Sequence, residues 1–576
     1  MRFATPRVHS EKRPDGTTIL RSPEPLGACD RAVGDWLVRW ATRTPGRVFL
    51  AERAGDGWRA TTYAEALDAA RRIGQSLLAR GLTAATPVAI LSDNSVAHAL
   101  LALGAMHAGI PVAPISPAYS VVSTDHAKLK DIFQLLRPGL VFADDPARFA
   151  PALRAVGAEA TSLEALLDSE PDGRIDEVFA ALGPDSIAKV LFTSGSTGMP
   201  KGVINTHRML CSNQQSWAQL WPFLEDTPPV LCDWLPWNHT FGGNATFNMA
   251  LRNGGAIHID RGKPVPGLIE TTARNLREIA PTLYFNVPRG YDLLLPLLEA
   301  DAELRESFFS RLSVLFFAAA ALPQNLWTRL TALARAAGSP HLAILSGWGS
   351  TETAPLATCV HYPMDRPGIV GNPAPGIELK LVPAGDKREV RVRGANVTPG
   401  YFNEPELTRT AFDEEGFYRI GDAMTLADAD DPAKGLVFDG RVAETFKLSS
   451  GTWVHAGAVR LAIIAACNPL VQDAVITGHD RDEIGALLFV NAAAISVLGL
   501  DDAAVRARLQ AALVDLRSAG TGSSTTPTRL LILEEPPSID GNEITDKGYI
   551  NQRATLARRA AHVEVLYAGG AGAIMA

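Results

Sequence analysis

The feature that most constrains the fold of this 576-residue chain is a loop of small residues between two apolar segments. The loop follows the apolar run 190–192 and consists of Thr193, Ser194, Gly195, Ser196, Thr197 and Gly198, with Lys201 shortly after it. Glycines and small hydroxyl residues let backbone N–H groups approach a polyphosphate closely, and a lysine adds a mobile cation. A Walker loop would end in Gly-Lys-Ser/Thr and continue into a helix, whereas here Pro200 precedes Lys201 and the β-like pair Val203-Ile204 follows. The sequence therefore predicts a phosphate-binding hairpin between two strands, in preference to a plain surface hairpin.

Composition and charge argue against several classes of protein. The formal net charge is −8, which disfavours a nucleic-acid binder because phosphate contacts need a basic surface. The five cysteines are scattered without a CxxC pair, so we expect no disulfide scaffold or zinc site and a reducing cytoplasm. No apolar stretch of signal-peptide type opens the chain, and the apolar run 97–114 is interrupted by histidines, glycines and prolines, so we expect no membrane insertion.

The pattern of apolar residues predicts a layered α/β fold for the first part of the chain. Thr62 with Glu65 forms a capping box that starts a helix, and Gly81 supplies its stop. A strand at 87–91, a helix at 96–107 and a strand at 110–115 follow, which is the unit of a parallel sheet covered by helices. The alternation continues to about residue 345.

The remainder of the chain has a different pattern of apolar residues, with short β-like segments at 379–382, 389–392 and 436–438. From about residue 443 it suggests a small α+β domain with a helix at 503–516, and the Gly/Ala-rich end, 568–576, is expected to fray. A chain of this length exceeds a single hydrophobic core. We therefore predict an α/β protein with a large layered α/β N-terminal domain (1–442) that has a β-rich end, and a small mobile α+β C-terminal domain (443–576).

Two further motifs carry groups that suit a nucleotide. In the run 347–352, Trp348 stands between two glycines and can offer its face to a purine, while Thr351 and Glu352 supply a hydroxyl and a carboxylate for phosphate and Mg²⁺. Asp422 ends the run Tyr-Arg-Ile-Gly-Asp and can accept hydrogen bonds from both hydroxyls of a ribose. Alone, Trp348 is equally a core residue and Asp422 a turn-capping carboxylate, but beside the phosphate loop they favour a nucleotide site.

These motifs resemble the adenylate-forming superfamily, which comprises acyl- and aryl-CoA synthetases, peptide-synthetase adenylation domains and beetle luciferases. The resemblance implies that the loop embraces the β- and γ-phosphates of ATP and that Trp348 stacks near adenine. It implies that Thr351 contacts the α-phosphate, Glu352 holds Mg²⁺, and Asp422 and Arg441 contact the ribose. His239, in the run Pro-Trp-Asn-His-Thr-Phe-Gly at 236–242, is implied to contact or gate the acid's carboxylate, although a lone histidine is more often structural. The Ala-rich run 316–321 is implied to form one pocket wall, which a buried strand could provide.

The family's hinge and catalytic lysine loop are matched less closely. The hinge pattern begins at Arg441, but Ala443 stands where Asp or Lys is usual. Near the end of the chain, Lys547 occupies the place of the catalytic lysine, in the order Asp-Lys-Gly where Gly-Lys is usual. The resemblance implies that Lys547 reaches the carboxylate and the α-phosphate, that Lys447 assists a second half-reaction, and that Gly451 lies in a loop near the pantetheine tunnel.

The segments 446–453, 478–485 and 542–553 resemble bacterial feruloyl-CoA synthases. That resemblance implies a hydroxycinnamate such as ferulate as the acid, coenzyme A as the acceptor and a role in aromatic catabolism. No carrier-like segment follows the lysine loop, so we expect the acceptor in trans. Pocket chemistry leaves the acid open, because Trp237, Tyr284, Phe285 and Tyr291 could line an aromatic slot or belong to the core.

Several alternatives stay open at this stage. The acid could be a medium- or long-chain fatty acid or of benzoate type, and the chain could be a peptide-synthetase adenylation module. Because the hinge and lysine loop both depart from pattern, a catalytically weakened adenylate-binding protein is an alternative of another class. The oligomeric state is not fixed, with a homodimer as one candidate.

Overall fold

The computed structural model describes residues 1–194, 199–364, 366–520 and 522–576. Its helices are α1 (Val33–Arg43), α2 (Tyr63–Ala79), α3 (Val96–His107), α4 (Ala127–Leu136), α5 (Ala150–Val156), α6 (Leu163–Leu167), α7 (Gly173–Ala181), α8 (His207–Leu220), α9 (Phe223–Asp226), α10 (Phe247–Arg252), α11 (Ile269–Glu278), α12 (Pro288–Ala300), α13 (Ala302–Ser310), α14 (Gln324–Ala336), α15 (Pro405–Thr410), α16 (Ala456–Ala466), α17 (Ala492–Val497), α18 (Asp502–Ala519), α19 (Gln552–Arg558) and α20 (Ala560–Tyr567). Short π-helical turns lie at Ala118–Val122 and Phe241–Thr246, and 3-10 turns at Thr351–Thr353, Pro432–Lys434 and Val442–Glu444.

The strands are β1 (His9–Lys12), β2 (Thr18–Arg21), β3 (Val48–Ala54), β4 (Gly57–Thr62), β5 (Val88–Leu91), β6 (Val112–Ile115), β7 (Leu140–Ala143), β8 (Ile187–Ser194), β9 (Pro200–Thr206), β10 (Val230–Asp233), β11 (Ala256–Ile259), β12 (Leu283–Asn286), β13 (Val314–Phe317), β14 (Ala343–Gly349), β15 (Leu356–Cys359), β16 (Ile369–Pro373), β17 (Ile377–Ala384), β18 (Lys387–Gly394), β19 (Tyr418–Leu426), β20 (Leu436–Arg441), β21 (Thr445–Lys447), β22 (Trp453–His455), β23 (Val471–Thr477), β24 (Ile484–Val490), β25 (Pro527–Ile532) and β26 (Ala573–Met575).

The local signals in the first part of the chain give the predicted elements. The Thr62 hydroxyl accepts from the backbone N–H of Glu65 while the Glu65 carboxylate accepts from Thr62, so the capping box starts α2 as expected. Helix α3 spans the predicted residues 96–107, and Ser95 caps it. Strands β5 and β6 then lie side by side and parallel, as the strand–helix–strand pattern requires.

The phosphate loop joins two antiparallel strands. The five-stranded sheet has the order β7-β5-β6-β8-β9, in which β5 to β8 are parallel and β9 runs antiparallel to β8 at the edge. The ladder continues to the pair Ser194 and Pro200. The prediction of a hairpin between two strands is therefore confirmed.

An eleven-stranded sheet forms the β-rich end, in the order β1-β2-β17-β18-β19-β20-β16-β15-β14-β13-β12. Strands β12, β13 and β14 are parallel, and the later neighbours pair antiparallel. A third sheet has the order β10-β11-β3-β4. Two strands of the eleven-stranded sheet, β14 and β19, carry the motifs around Trp348 and Asp422.

The C-terminal part has its own sheet, β23-β24-β25-β26, and its own hydrophobic core, to which α16 and α18 contribute. Residues 568–576 were expected to fray, but β26 pairs with β25 because Ile574 is buried against Leu530. For the Ala-rich run 316–321 a buried strand was one interpretation, but β13 ends at Phe317 and the alanines continue as a loop, with Ala319 at φ 73.

The fold class, a large α/β domain with a β-rich end and a smaller C-terminal domain, is confirmed by this architecture. The mobility of the small domain and its boundary at residue 443 stay predictions. Among the described residues, no helix is long and apolar enough to cross a membrane.

Candidate active site

A cleft of ≈ 2930 Å³ is lined by residues of both domains. Of the residues predicted for the site, it is lined by Thr193, Lys201, His239, Trp348, Thr351, Glu352, Asp422, Arg441 and Lys547. The fold therefore brings together positions that are more than three hundred residues apart in the sequence. The predicted residues Gly195, Ser196, Thr197 and Gly198 lie outside the described part of the chain, and only the backbone of Ser194 is described.

Trp348 and Asp422 form one wall of this cleft. Trp348 lies near the end of β14, and its Nε1 donates a hydrogen bond of 2.9 Å to Oδ2 of Asp422 on β19. The glycine after the tryptophan is required by packing, since a Cβ on Gly349 would lie 1.7 Å from the carbonyl oxygen of Pro355. The motif thus brings the chain back close to itself and leaves the indole at the cleft surface.

Arg441 lies beside the same carboxylate. It is the cross-strand neighbour of Asp422 in the pairing of β19 with β20, and its Nε is 3.6 Å from Oδ1. Burial raises the pKa of Asp422, and the charge of Arg441 opposes that rise. The Asp422 carboxylate is fixed by Trp348, and the guanidinium of Arg441 beside it is largely exposed. Together they suit a ligand that carries several hydroxyl groups.

Glu352 is buried beside the phosphate hairpin. Its Oε1 accepts a hydrogen bond of 3.2 Å from the Tyr401 hydroxyl, which lies 3.1 Å from the Tyr418 hydroxyl. The Nζ of Lys201 lies 5.4 Å from the centroid of the Tyr401 ring, so this tyrosine connects the lysine of the hairpin with the carboxylate. Tyr401 was not predicted, although its place directly after a Pro-Gly pair is a signal that could have found it.

Glu352 fits a single-carboxylate Mg²⁺ site. Within the described ranges no cluster of three or more His, Cys, Asp or Glu side chains is arranged to hold a metal ion. Mg²⁺ in nucleotide sites is commonly bound by one or two carboxylates, with phosphate oxygens and water completing its shell. A lone carboxylate beside Lys201 and Thr351 is consistent with that donor set.

His239 meets the lysine loop of the small domain. Its Nε2 lies 2.9 Å from Oδ2 of Asp546, the residue before Lys547. Burial raises the pKa of Asp546, but the adjacent His239 and the charge of Lys547 outweigh that effect and hold it at about 2. The Lys547 side chain is exposed at the cleft. The loop thus carries a cation that stays accessible and a carboxylate that is buried.

The chain after His239 forms the π-helical turn Phe241–Thr246, a conformation that often occurs at functional sites. Close packing fixes it, since a Cβ on Gly243 would lie 2.2 Å from the carbonyl oxygen of Trp237. His239 and the turn together form the mouth of an apolar end of the cleft.

That apolar end is lined by aromatic side chains that, apart from Phe316 of the run 316–321, were not considered from the sequence. Trp217, Trp234, Phe241 and Phe316 line the cleft there, together with the alanines after β13. The four candidates named from the sequence, Trp237, Tyr284, Phe285 and Tyr291, are buried core residues and are absent from the cleft lining in the described structure. The tyrosine hydroxyls bond within the protein, for example Tyr291 to the Phe316 carbonyl at 2.8 Å.

Two predicted residues lie away from the cleft lining in the described part of the chain. Lys447 ends β21 and places its Nζ 4.6 Å from the centroid of the Trp453 ring on β22. Gly451 is exposed in the loop between those strands, where its φ of +81 favours glycine.

Comparisons with known proteins agree with this architecture. Residues 37–402 match the family model "AMP-binding enzyme", and residues 444–571 match the model "AMP-binding enzyme C-terminal domain". The first match alone spans more than half of the chain, so the protein belongs to the AMP-binding enzyme family.

Individual relatives are distant. A methyl-dioxo-octahydroindenyl-propanoyl:CoA ligase from Rhodococcus jostii is 27% identical over 65% of this chain and 73% of its own length. A feruloyl-CoA synthase from Amycolatopsis sp. is 28% identical over 69% of this chain and 77% of its own length. The adenylation domain of a carboxylate reductase from Mycobacterium chelonae superposes with a TM-score of 0.74 at 20% identity, covering 94% of this chain and 92% of that one, which shows a shared fold.

Proposed function

We propose that this AMP-binding enzyme is an ATP-dependent carboxylic acid–CoA ligase that forms an acyl-adenylate and then an acyl-CoA thioester. The observation that carries the proposal is the composition of one cleft. It presents Trp348 and Asp422 for a nucleoside, Thr351 and Glu352 for phosphate and metal, and Lys547 for an anionic transition state. A cleft of this kind needs no protein nucleophile, because positioning and charge neutralisation are sufficient for phosphoryl-centre chemistry.

In the first half-reaction a carboxylate oxygen attacks the α-phosphorus of ATP, and the bond from that phosphorus to the bridging oxygen of pyrophosphate breaks. Lys547 and Lys201 neutralise charge on the carboxylate and on the phosphate oxygens. Trp348 and the Asp422–Arg441 pair orient the adenosine. Mg²⁺ held by Glu352 would act as a Lewis acid on the phosphate oxygens.

In the second half-reaction the CoA thiol attacks the acyl carbon, its proton is lost to solvent and AMP leaves. We propose that the small domain turns about the hinge near Ala443 between the two steps and withdraws Lys547. In the arrangement described, Lys447 rests against Trp453, so a role for it would need such a rearrangement. Gly451 lies in the same exposed hairpin, which would move together with the small domain when that domain rotates.

We propose ferulate or a related hydroxycinnamate as the acid. Phe241 lines the cleft and packs against the buried Phe316, which in turn packs against Trp217, so an aromatic cluster borders the cleft and suits a planar aromatic acid. The feruloyl-CoA synthase among the relatives supports the same substrate class, as does the resemblance of segments 446–453 and 542–553.

The test is to incubate the protein with Mg·ATP, CoA and ferulate and to follow the red-shifted absorbance of the conjugated thioester. Octanoate and benzoate serve as matched acids, with pyrophosphate release as a common readout. Turnover of ferulate above both supports the proposal. Turnover of octanoate or benzoate alone would keep the ligase and replace the acid. Pyrophosphate release without thioester formation in the presence of CoA would favour a carrier-loading module, and no pyrophosphate with any acid would favour an adenylate-binding protein.

A further inference from the structure

The contact between Asp546 and His239 joins two segments separated by 307 residues. The Asp546 side chain is 1% exposed and that of His239 13% exposed, although both lie at the margin of a solvent-filled cleft. A carboxylate taken out of water this far is stable only if a partner compensates its charge. The Nε2 of His239 is its hydrogen-bonding partner, 2.9 Å from Oδ2, and the nearby Lys547 adds a positive charge.

The segment that ends in Lys547 is attached to the large domain at its beginning as well. Oδ2 of Asp540 accepts hydrogen bonds from the backbone N–H of Thr124 at 3.1 Å and from its hydroxyl at 2.9 Å. The Nζ of Lys128 donates to the carbonyl oxygen of Ile539 at 2.6 Å. These contacts fix residues 539–540, whereas the contact to His239 fixes the residue directly before the lysine.

The placement has an electrostatic consequence for the cleft. A free carboxylate beside Lys547 would repel both the acid's carboxylate and the phosphates of ATP, and it would draw the lysine toward itself. The contact with His239 turns the carboxylate oxygen Oδ2 of Asp546 toward the large domain. The ammonium of Lys547 then stays available to the substrates. The glycine that usually precedes this lysine in the family pattern has no side chain that could make the contact.

We propose that Asp546 is a positioning residue for adenylation: by pairing with His239 it holds Lys547 at the reacting atoms and fixes the imidazole at the mouth of the acid site. The inference rests on the proposed function, since it concerns the first half-reaction only. Asp546 acts through Lys547 and His239 and does not touch the substrates itself.

The two half-reactions can be measured separately. Acid-dependent ATP–pyrophosphate exchange reports adenylation, and thioester formation from a synthetic acyl-adenylate and CoA reports the second step. We expect D546N to lower kcat of the exchange about 10- to 100-fold, since a buried carboxylate in hydrogen-bond contact with His239 is replaced by a neutral amide. The KM for ATP should change little, and thioester formation from the preformed adenylate should be retained. D546E should recover part of the exchange rate, because the longer side chain keeps the charge.

A double variant separates positioning from a merely structural role. If Asp546 acts through Lys547, then D546N added to K547A should lower the exchange no further than K547A alone. D480N, which changes an exposed carboxylate of the small domain, is the matched control and should behave as the unaltered protein. Thermal unfolding of D546N within a few degrees of the unaltered protein would show that the domain is intact.

The outcomes distinguish this inference from the function on which it rests. Wild-type exchange with an unchanged D546N, or a D546N that loses both half-reactions equally, would overturn the positioning role and leave the ligase intact. A wild-type protein that shows no exchange with any acid of the panel would overturn the proposed function and the inference with it.

Discussion

The segment from His239 to the end of the π-helical turn at Thr246 is held from two sides, and the two sides differ in kind. On the inner side, the Nζ of Lys189 on β8 donates to the carbonyl oxygen of Gly243 at 2.6 Å, within the large domain. On the outer side, the holding contact is the hydrogen bond of 2.9 Å between His239 and Asp546, which comes from the small domain. The same few residues thus form both a permanent wall and a surface for contact between domains.

The inner side is a buried polar network. Lys189 also reaches the Asn244 side-chain oxygen at 3.3 Å, and Asn244 donates to the Asn205 side-chain oxygen at 2.8 Å. Because Lys189 and Asn205 lie on β8 and β9, the network links the strands of the phosphate hairpin to the mouth of the acid site. Complete burial lowers the pKa of Lys189 to about 7.

The outer side is a single hydrogen bond to a carboxylate, beside an exposed lysine. A contact of this kind can be broken and remade without opening the core, since the domain that supplies Asp546 has a core of its own. The difference teaches that the inner contacts are built into the sheets of the large domain, while the outer contact comes from a loop of the small domain that also carries Lys547, the cation we propose for adenylation. Substitutions on the outer side should therefore lower the rate of ATP–pyrophosphate exchange, whereas substitutions on the inner side should change the free energy of unfolding.

The largest effect is expected from K547A on the outer side. Loss of a cation at the oxygens where charge develops should lower acid-dependent ATP–pyrophosphate exchange about 100- to 1,000-fold, equivalent to ~3–4 kcal/mol. The chain offers a matched control in K447A, because Lys447 lies against Trp453 and not in the cleft lining of the described structure. K447A should retain the exchange rate. An equal loss in both variants would contradict the distinction between the two lysines.

A smaller effect, on stability, is expected from K189M on the inner side. The ordinary pKa of lysine is 10.5 and that of folded Lys189 is about 7, so between these values the unfolded chain binds a proton that the folded chain has released. The contribution of Lys189 to the free energy of unfolding therefore rises with pH across that window and is lowest below pH 7. Between pH 7 and 9 the wild-type protein should gain about 2 kcal/mol relative to K189M.

Urea unfolding at the two pH values checks this prediction, with K12M as the control because Lys12 is exposed on β1. The wild type minus K12M difference should be independent of pH. A wild type minus K189M difference that is equally flat would mean that Lys189 keeps an ordinary pKa. Water would then reach the Lys189 side chain, and the inner side would no longer differ from the outer side by being a fully buried network.

The sequence predicted the fold well, and it identified residues around Trp348 and Asp422 that the structure brings together in one cleft, because these signals are local. The capping box at Thr62, the strand–helix–strand spacing around α3 and the motifs at Trp348 and Asp422 each depend on residues that are close in sequence. The sequence predicts that Gly349 leaves one face of Trp348 open. The structure shows a second reason for this glycine, because a Cβ at position 349 would collide with the carbonyl oxygen of Pro355.

The acid end of the cleft could not be predicted in the same way. Whether an aromatic residue faces the cleft or the core depends on helix and strand packing, so Tyr284 and Tyr291 were as plausible as Trp217 and Phe316 before the fold was known. Likewise, the pair of Asp546 with His239 joins segments that are 307 residues apart in the sequence. The sequence marked Asp546, because an aspartate stands where a glycine usually precedes the lysine. Only the structure shows that His239 is its partner.

The smallest effect is expected from T124V, which tests whether the outer side depends on one contact or on many. The change removes the hydroxyl that donates to Asp540 at 2.9 Å but keeps the backbone N–H that donates to the same oxygen. An exposed hydrogen bond of this kind contributes about 0.5–1 kcal/mol, so the exchange rate should fall no more than about fivefold. T124S retains the hydroxyl and is the matched control. If T124V lowered the exchange rate as much as D546N, the lysine loop would be held by contacts along the whole segment 539–546. The contact between Asp546 and His239 would then be no more important than the others.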